Sequence, residues 1–284
     1  MAVVTGEKNK ISVRIGRGAA LAILIFLSVL VLIPLVWTIC MSVKPDGEIY
    51  NGMFFPTEIH LENYYRAVTK VDFFRYLANT LIIVVPSVIG MVFSCALVAY
   101  GFSRFNFKGK RVWFLILLAT MMIPGQVTMI PQFLIYRMVG WVNTYLPLIV
   151  PTFFAISGYN VFLMRSFMSG IPKDFDEAAT IDGAGPLRSF IRIMLPMCQP
   201  VLMAITVFTF MGTWNDFNGP LIYVYDANKF TLSLGLSFFK GLYTSQWNLL
   251  MAATVLVMLP ILILFFMAQD LIINGISISS GTKG

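Results

Sequence analysis

The sequence predicts an all-α integral membrane protein with six transmembrane helices and both termini in the cytoplasm. Two observations carry the fold class and a third carries the orientation. Of 284 residues, 58% are hydrophobic and only 12% are charged, against roughly 25% charged in an ordinary soluble domain. The apolar residues also gather into six windows free of Asp, Glu, Lys, Arg and His: 18–43, 76–103, 112–136, 138–164, 193–215 and 241–269. Each exceeds the about 20 residues that an apolar helix needs to cross a bilayer. Finally, thirteen of the twenty Lys and Arg residues fall on the N-terminus, the 104–111 loop, the 165–192 loop and the C-terminus. Lys and Arg accumulate on cytoplasmic loops, so those segments are assigned inside. The same distribution accounts for the net charge of +7 without a nucleic-acid partner.

Residues 1–17 read as a cytoplasmic tail. Lys8, Lys10, Arg14 and Arg17 precede the first window as the basic region of a secretory signal would. The apolar run is longer than a signal's, and five more follow, so 18–43 reads as a retained first helix. Residues 44–75 form an outer loop, KPDGEIYNGMFFPTEIHLENYYRAV and onward, whose Pro and Gly mark turns. There ENYYRAV, followed by DFFRYLANT, predicts a short interfacial helix before the second span, a position that suits its aromatic residues.

Residues 76–270 form the core, with five further spans. The third contains MMIPGQVTMIPQF. Pro124, Gly125 and Pro131 predict a bend or break there, which lipid tolerates only where protein or a wet cavity satisfies the freed backbone. A helix lining a solute path and a kinked packing helix both fit that pattern. Between the fifth and sixth spans, WNDFNGPLIYVYDANKFTLSLGLSFFKGLYTSQWN is assigned to the outer side. Residues 271–284 read as a cytoplasmic tail.

The polar loop 165–196 interrupts the apolar pattern. Pro172 suits a first helical turn, and Asp174, Asp176 and Glu177 complement the positive end of the helix dipole. Gly183 is placed to end that helix in a left-handed conformation. Gly185–Pro186 then starts a second helix, in which Leu187, Phe190, Ile191 and Met194 fall at i, i+3, i+4 and i+7, an apolar stripe. Arg188, Ser189 and Arg192 take the other face, and Pro196 and Pro200 mark the junction with the fifth span. The expectation is two short helices at a glycine elbow, the second packed on the spans, the first projecting with its acids and alanines exposed.

Several chemistries are excluded or unsupported. Cys40, Cys95 and Cys198 lie in apolar windows with no CxxC, so no disulfide framework follows. His60 is the single histidine and has no evident metal-ligating partners. The C-terminal GISISSGTKG has the wrong order for a P-loop. No catalytic set is visible: Asp216, beside Trp214 and Asn215, has no His or Cys partner. The charge-free spans also argue against an ion-coupled secondary transporter or channel, the alternative reading, since such proteins commonly place ionisable residues in the membrane.

The loop resembles the EAA loop of permease subunits of binding-protein-dependent ABC importers. Glu177, Ala178 and Ala179 are followed after three residues by Gly183, then after nine by Ile193, with Leu195–Pro196 closing the pattern. The flanking IPKDFDEAA and IDGA are similar to the carbohydrate, maltose-type branch. So are SVKPDGEI and ENY in the first outer loop, MIPGQVTMIP, NTYLPLI, TWNDFNGPLI and MAATVLVMLP. Asn218–Gly219 and Asp270 depart from that pattern.

The resemblance implies a type I ABC importer permease (MetI-like) fold in a bacterial or archaeal inner membrane. It implies a non-catalytic subunit for a sugar, oligosaccharide or polyol. Its partners would be a second homologous permease, two ATPase subunits that hold ATP and Mg, and an extracytoplasmic solute-binding protein; this chain would bind no cofactor. Glu177, Ala178, Ala179, Asp182 and Gly183 would form the coupling segment that docks on an ATPase. Solute would pass near the kinked third span, the fourth and the start of the fifth, with Gln126, Asn160 and Asn215 as path candidates; helix–helix hydrogen bonding explains the same three residues equally well.

Overall fold

The computed structural model describes the backbone of residues 4–240 and 246–281 and the side-chain environments of residues 16–240 and 246–270. Every long element is a helix, as charge-free sequence in lipid demands: a helix satisfies its own backbone hydrogen bonds. Four segments are long and apolar enough to cross a membrane, Gly16–Ser42, Phe73–Arg104, Leu146–Gly170 and Trp247–Asp270, and two bent helix pairs bring the number to six.

The chain divides into two compact units, residues 1–70 with 239–256, and residues 71–238 with 257–284. In the first unit, α1 (Val4–Ser42) is one continuous helix, so the segment read as a tail is helical from Val4. Its apolar residues from Leu21 to Leu32 are exposed. The predicted interfacial helix is α2 (Glu62–Lys70). Asn63, in the ENY stretch, is fully buried. Its amide donates to the carbonyls of Ser42, at 3.0 Å, and Lys44, at 2.8 Å. Lys44 reads in sequence as a loop charge, yet it is 1% exposed. Its ammonium donates to the carbonyl of Met53 and to Asn51 Oδ1. Asn248 binds the Lys44 carbonyl at 3.2 Å and Asp46 Oδ1 at 2.6 Å, and Arg66 pairs with Asp46 at 3.1 Å. Buried polar groups need such partners.

The second unit is built on α3 (Phe73–Arg104), a single helix. The third apolar window is two helices, α4 (Lys110–Thr120) and α5 (Gly125–Met138), meeting at 98°. The break falls at Pro124, as expected, because proline has no N–H and clashes with the preceding turn. Pro131 lies inside α5 without ending it.

The fourth window differs more from expectation. Residues 139–145 are not helical: Gly140 and Asn143 take positive φ. The span is α6 (Leu146–Ile149), a 3₁₀ turn Val150–Phe154, and α7 (Gly158–Gly170). It therefore includes Arg165, read from sequence as a loop charge. That guanidinium lies over the Phe114 ring, 4.0 Å from its centroid, a cation–π contact that favours a charge against an apolar helix. At Asn143 the side-chain oxygen accepts from the backbone of Tyr225 and Asp226, and its carbonyl accepts from Lys229 Nζ at 2.8 Å.

Then follow α8 (Asp174–Ile181), α9 (Pro186–Ser189), a π-helical turn Phe190–Met194, α10 (Leu195–Met197) and α11 (Gln199–Trp214). The segment after α11 folds into short helices, α12 (Asn218–Tyr223) and α13 (Leu232–Gly235) with 3₁₀ turns between and after. It is tied to α3 through Asn79, whose amide donates to the carbonyls of Asn228 and Phe230, and through Thr80, which accepts from Leu232 N. Last is α14 (Trp247–Gly281), which carries the predicted C-terminal tail as helix to Gly281. The core of this unit brings together α3, α7, the π turn and α11 through Cys95, Ala99, Val161, Met164, Met194 and Ile205. Gly90 makes the packing possible: a Cβ there would lie 2.6 Å from the Phe153 ring.

Candidate functional site

The polar loop folds as its residue pattern requires. Asp174, Asp176 and Glu177 occupy the first turn of α8, where the helix dipole favours carboxylates. Helix α8 ends in a Schellman motif. Ala184 N donates to Ala179 O at 2.8 Å and Gly183 N to Thr180 O at 3.0 Å, with Gly183 left-handed at φ 75°. Glycine takes that conformation without steric cost. Pro186 then opens α9, and the segment Pro186–Met197 meets α11 at 78°.

Two details depart from the sequence reading. The stripe Leu187–Phe190–Ile191–Met194 divides: Phe190 and Met194 are in the core, whereas Leu187 and Ile191 are exposed. A π turn spans Phe190–Met194, within the stripe. Ser189, assigned to the polar face, is buried. Likewise the two alanines of the EAA pattern do not share a role. Ala178 is exposed, whereas Ala179 is 4% exposed and faces the chain's own interior. The outward surface of α8 is formed by Glu177, Ala178 and Asp182, joined by Phe175 and Ile181, the last 85% exposed. Sequence reasoning missed Phe175 and Ile181; their spacing of six with Ala178 midway was the available signal.

The loop is moored to α3. Tyr100 OH donates to Pro186 O at 3.2 Å, and its ring lies 4.9 Å from that of Phe190. One turn on, the Arg104 side chain is 7% exposed; its Nε lies 3.0 Å from Asp176 Oδ2. Its Nη2 donates to Ile171 O at 3.0 Å and lies 3.7 Å from Met194 Sδ. The Nε–Oδ2 approach is an ion pair without good hydrogen-bond alignment. Arg104 counted in sequence only as a loop charge. Beside the pair lies a cavity of about 650 Å³, lined in part by Phe105, Lys173, Glu177 and Ser189.

The three path candidates are not brought together. Gln126 is exposed in the first turn of α5, and Asn160 is buried at the start of α7, its backbone N–H capped by Ser157. Asn215 is exposed, with its amide bonded to Met211 O at 2.9 Å. None of them lines a second cleft of this unit, about 280 Å³, whose polar and aromatic residues include Gln132, Tyr136, Thr213, Asp216 and Tyr223. Its walls come from α3, α5, the fourth span and the residues at and after the end of α11. Asp216 Oδ1 accepts from Gly219 N at 3.0 Å, and a Cβ at Gly219 would lie 2.8 Å from Leu148. The Asn218–Gly219 departure thus leaves room for a close approach of the fourth span. Among the described residues no cluster of His, Cys, Asp and Glu is arranged to hold a metal.

The family described as the binding-protein-dependent transport system inner membrane component matches residues 90–278. The diacetylchitobiose uptake system permease protein NgcG of Streptomyces coelicolor is 34% identical over 92% of this chain and 87% of its own. The arabinooligosaccharides transport system permease protein AraQ of Halalkalibacterium halodurans is 32% identical over 91% and 94%. The trehalose/maltose transport system permease protein MalG of Thermococcus litoralis is 30% identical over 89% and 92%. Among solved structures, a chain of a bacterial ABC transporter that imports the acidic polysaccharide alginate superposes with a TM-score of 0.78 at 25% identity, over 91% of this chain and 97% of that one. A second alginate transporter structure, with a TM-score of 0.67 at 15% identity, shares the fold. The all-helical architecture is therefore that of ABC importer permeases, the MetI-like fold. With that fold, and with the family match spanning the loop, its elbow and the spans on either side, this chain belongs to the inner membrane components of binding-protein-dependent transport systems.

Proposed function

We propose that the chain is the non-catalytic permease subunit of an ATP-driven importer for an oligosaccharide, seated in a bacterial or archaeal cytoplasmic membrane. The observation that carries this reading is the EAA-spaced loop, folded as a capped helix with Glu177, Ala178 and Asp182 exposed and Gly183 as its elbow. A short helix with a small residue and an acid on its outer face suits insertion into a groove on a cytoplasmic ATPase. ATP binding would move α8 and, through it, the spans. ATP and Mg would be held by the ATPase subunits, and solute would arrive from an external binding protein and pass between this chain and a second permease. Three relatives named for transport of diacetylchitobiose, arabinooligosaccharides and trehalose or maltose support a neutral oligosaccharide as solute. We place the solute-facing surface of this chain at the 280 Å³ cleft, where tyrosine rings stand beside Gln132 and Asp216. Aromatic faces with a few convergent polar groups are the usual lining of a small-molecule site.

The test is a mild-detergent pull-down of the tagged chain from its native membrane, then uptake of labelled oligosaccharides by the recovered complex in liposomes. Recovery of a Walker-A ATPase and a second permease, with ATP-dependent uptake, is expected. A chain recovered alone under conditions that preserve other membrane complexes would overturn the reading.

A further inference from the structure

We propose that the Arg104–Asp176 pair is the strut that passes displacement of α8 to α3, which makes Arg104 a positioning residue for coupling. The proposal rests on the coupling-loop reading above.

Among the described residues this pair is the only side-chain polar link between α8 and any span. Thr180 bonds within α8, and Asp174, Glu177 and Asp182 are exposed. The chain enters α8 through Ile171–Pro172–Lys173 and leaves it through the capped Gly183 elbow. With the packing of Ala179 and the hydrogen-bonded elbow, the pair ties α8 to the rest of the unit.

The far side of the strut is held fast. The Arg104 guanidinium is fixed by Ile171 O and lies against Met194, and its planar fork makes several directional bonds at once. Arg104 ends α3, a helix of 32 residues and therefore about 48 Å long. Near the other end of α3, Thr80 and Ile83 form a wall of the 280 Å³ cleft. A displacement applied at Asp176 thus reaches the cleft along one unbroken helix, which carries Pro86 between Arg104 and Ile83. The 650 Å³ cavity beside the pair leaves part of α8 unpacked, so Ala179 and the ion pair carry its attachment to the spans.

The experiment uses the complete complex in liposomes and reads solute uptake per ATP hydrolysed for the wild type, Asp176→Asn, Asp176→Glu, Arg104→Gln and Arg104→Lys. Removing one partner of this partly buried pair cuts the link between α8 and α3, so Asp176→Asn and Arg104→Gln are expected to lower that ratio by about tenfold. Asp176→Glu, which keeps the charge, is expected to restore most of it, and Arg104→Lys, a point charge without the fork, only part. Equal ratios in Asp176→Asn and the wild type would overturn the strut alone. So would a parallel fall of uptake, ATPase activity and assembly, the mark of a merely structural role. A wild-type complex containing no ATPase would overturn the coupling-loop reading itself, and the strut with it. Should the variants fail to fold, spin labels at Asp174 and Phe107 in an otherwise native chain give a second measurement. Their separation is expected to stay constant on ATP binding, and a shift would sink the proposal.

Discussion

Trp214 donates its indole N–H to the backbone carbonyl of Val257 at 3.0 Å, and the side chain is 1% exposed. The bond joins the end of α11 to α14 in the middle of apolar sequence. Trp214→Phe keeps most of the volume and loses the bond, so it should cost about 1 kcal/mol. Trp214→Ala also leaves a cavity and should cost about 3–5 kcal/mol. Thermal unfolding of the purified chain in detergent checks both; equal losses would mean that the hydrogen bond contributes nothing.

Gly183→Val places a β-branched residue at φ 75°, where L-residues are strained by roughly 1–2 kcal/mol. The Schellman bonds should open and the angle between α8 and α9 should change. Uptake is expected to fall while membrane insertion stays normal. Normal uptake would remove the elbow from the coupling account.

Glu177 is exposed on α8 and is not the residue paired with Arg104. Glu177→Lys should therefore leave the fold intact, with a stability change within about 0.5 kcal/mol, and weaken recovery of the ATPase subunit. Unchanged co-purification would argue against Glu177 as a contact.

Topology is best tested at Arg188. Ser189 sits on the same turn, but it is 5% exposed and its hydroxyl lies in the interior, whereas Arg188 is exposed. A cysteine at Arg188 is expected to react with an impermeant maleimide only from the cytoplasmic side. Labelling from outside would invert the orientation.

The loop that follows α1 should respond to pH in two directions. Hydrogen bonds from Asn248 and Arg66 hold the Asp46 carboxyl below its ordinary pKa of 3.8. Its contribution is therefore complete above that value and is lost as pH falls through the lower folded one. Glu62 and Glu58 raise His60 above its ordinary 6.5. That contribution is complete below 6.5 and is lost as pH rises through the higher folded value. Hydrogen exchange of the loop across the acid and neutral range should show both limbs. Asp46→Asn should flatten the acid limb and His60→Gln the alkaline one.

Much of this was legible in the sequence because the governing rules are local. Charge-free windows mark spans, Pro124 breaks a helix, and Gly183 caps one; each follows from the solvent or from a single residue's backbone. The same reasoning misplaced the beginning of the fourth span, since Gly140 and Asn143 hold a turn inside apolar sequence. It also missed that Lys44 is buried within its loop and that Arg165 lies in the fourth span, because hydropathy cannot register a carbonyl or an aromatic face that receives a cation.

The sequence by itself determined the helical membrane class, the broken third span, and a capped helix at the EAA stretch. Those properties depend on transfer energies and on conformational limits within a few residues. Only the tertiary structure decided that Ala179 packs inward, that Gln132 and Asp216 share a cleft while Gln126, Asn160 and Asn215 do not, and that Arg104 meets Asp176. Such contacts join residues dozens of positions apart, and their pairing depends on how helices pack, which no local pattern of charge or hydropathy encodes.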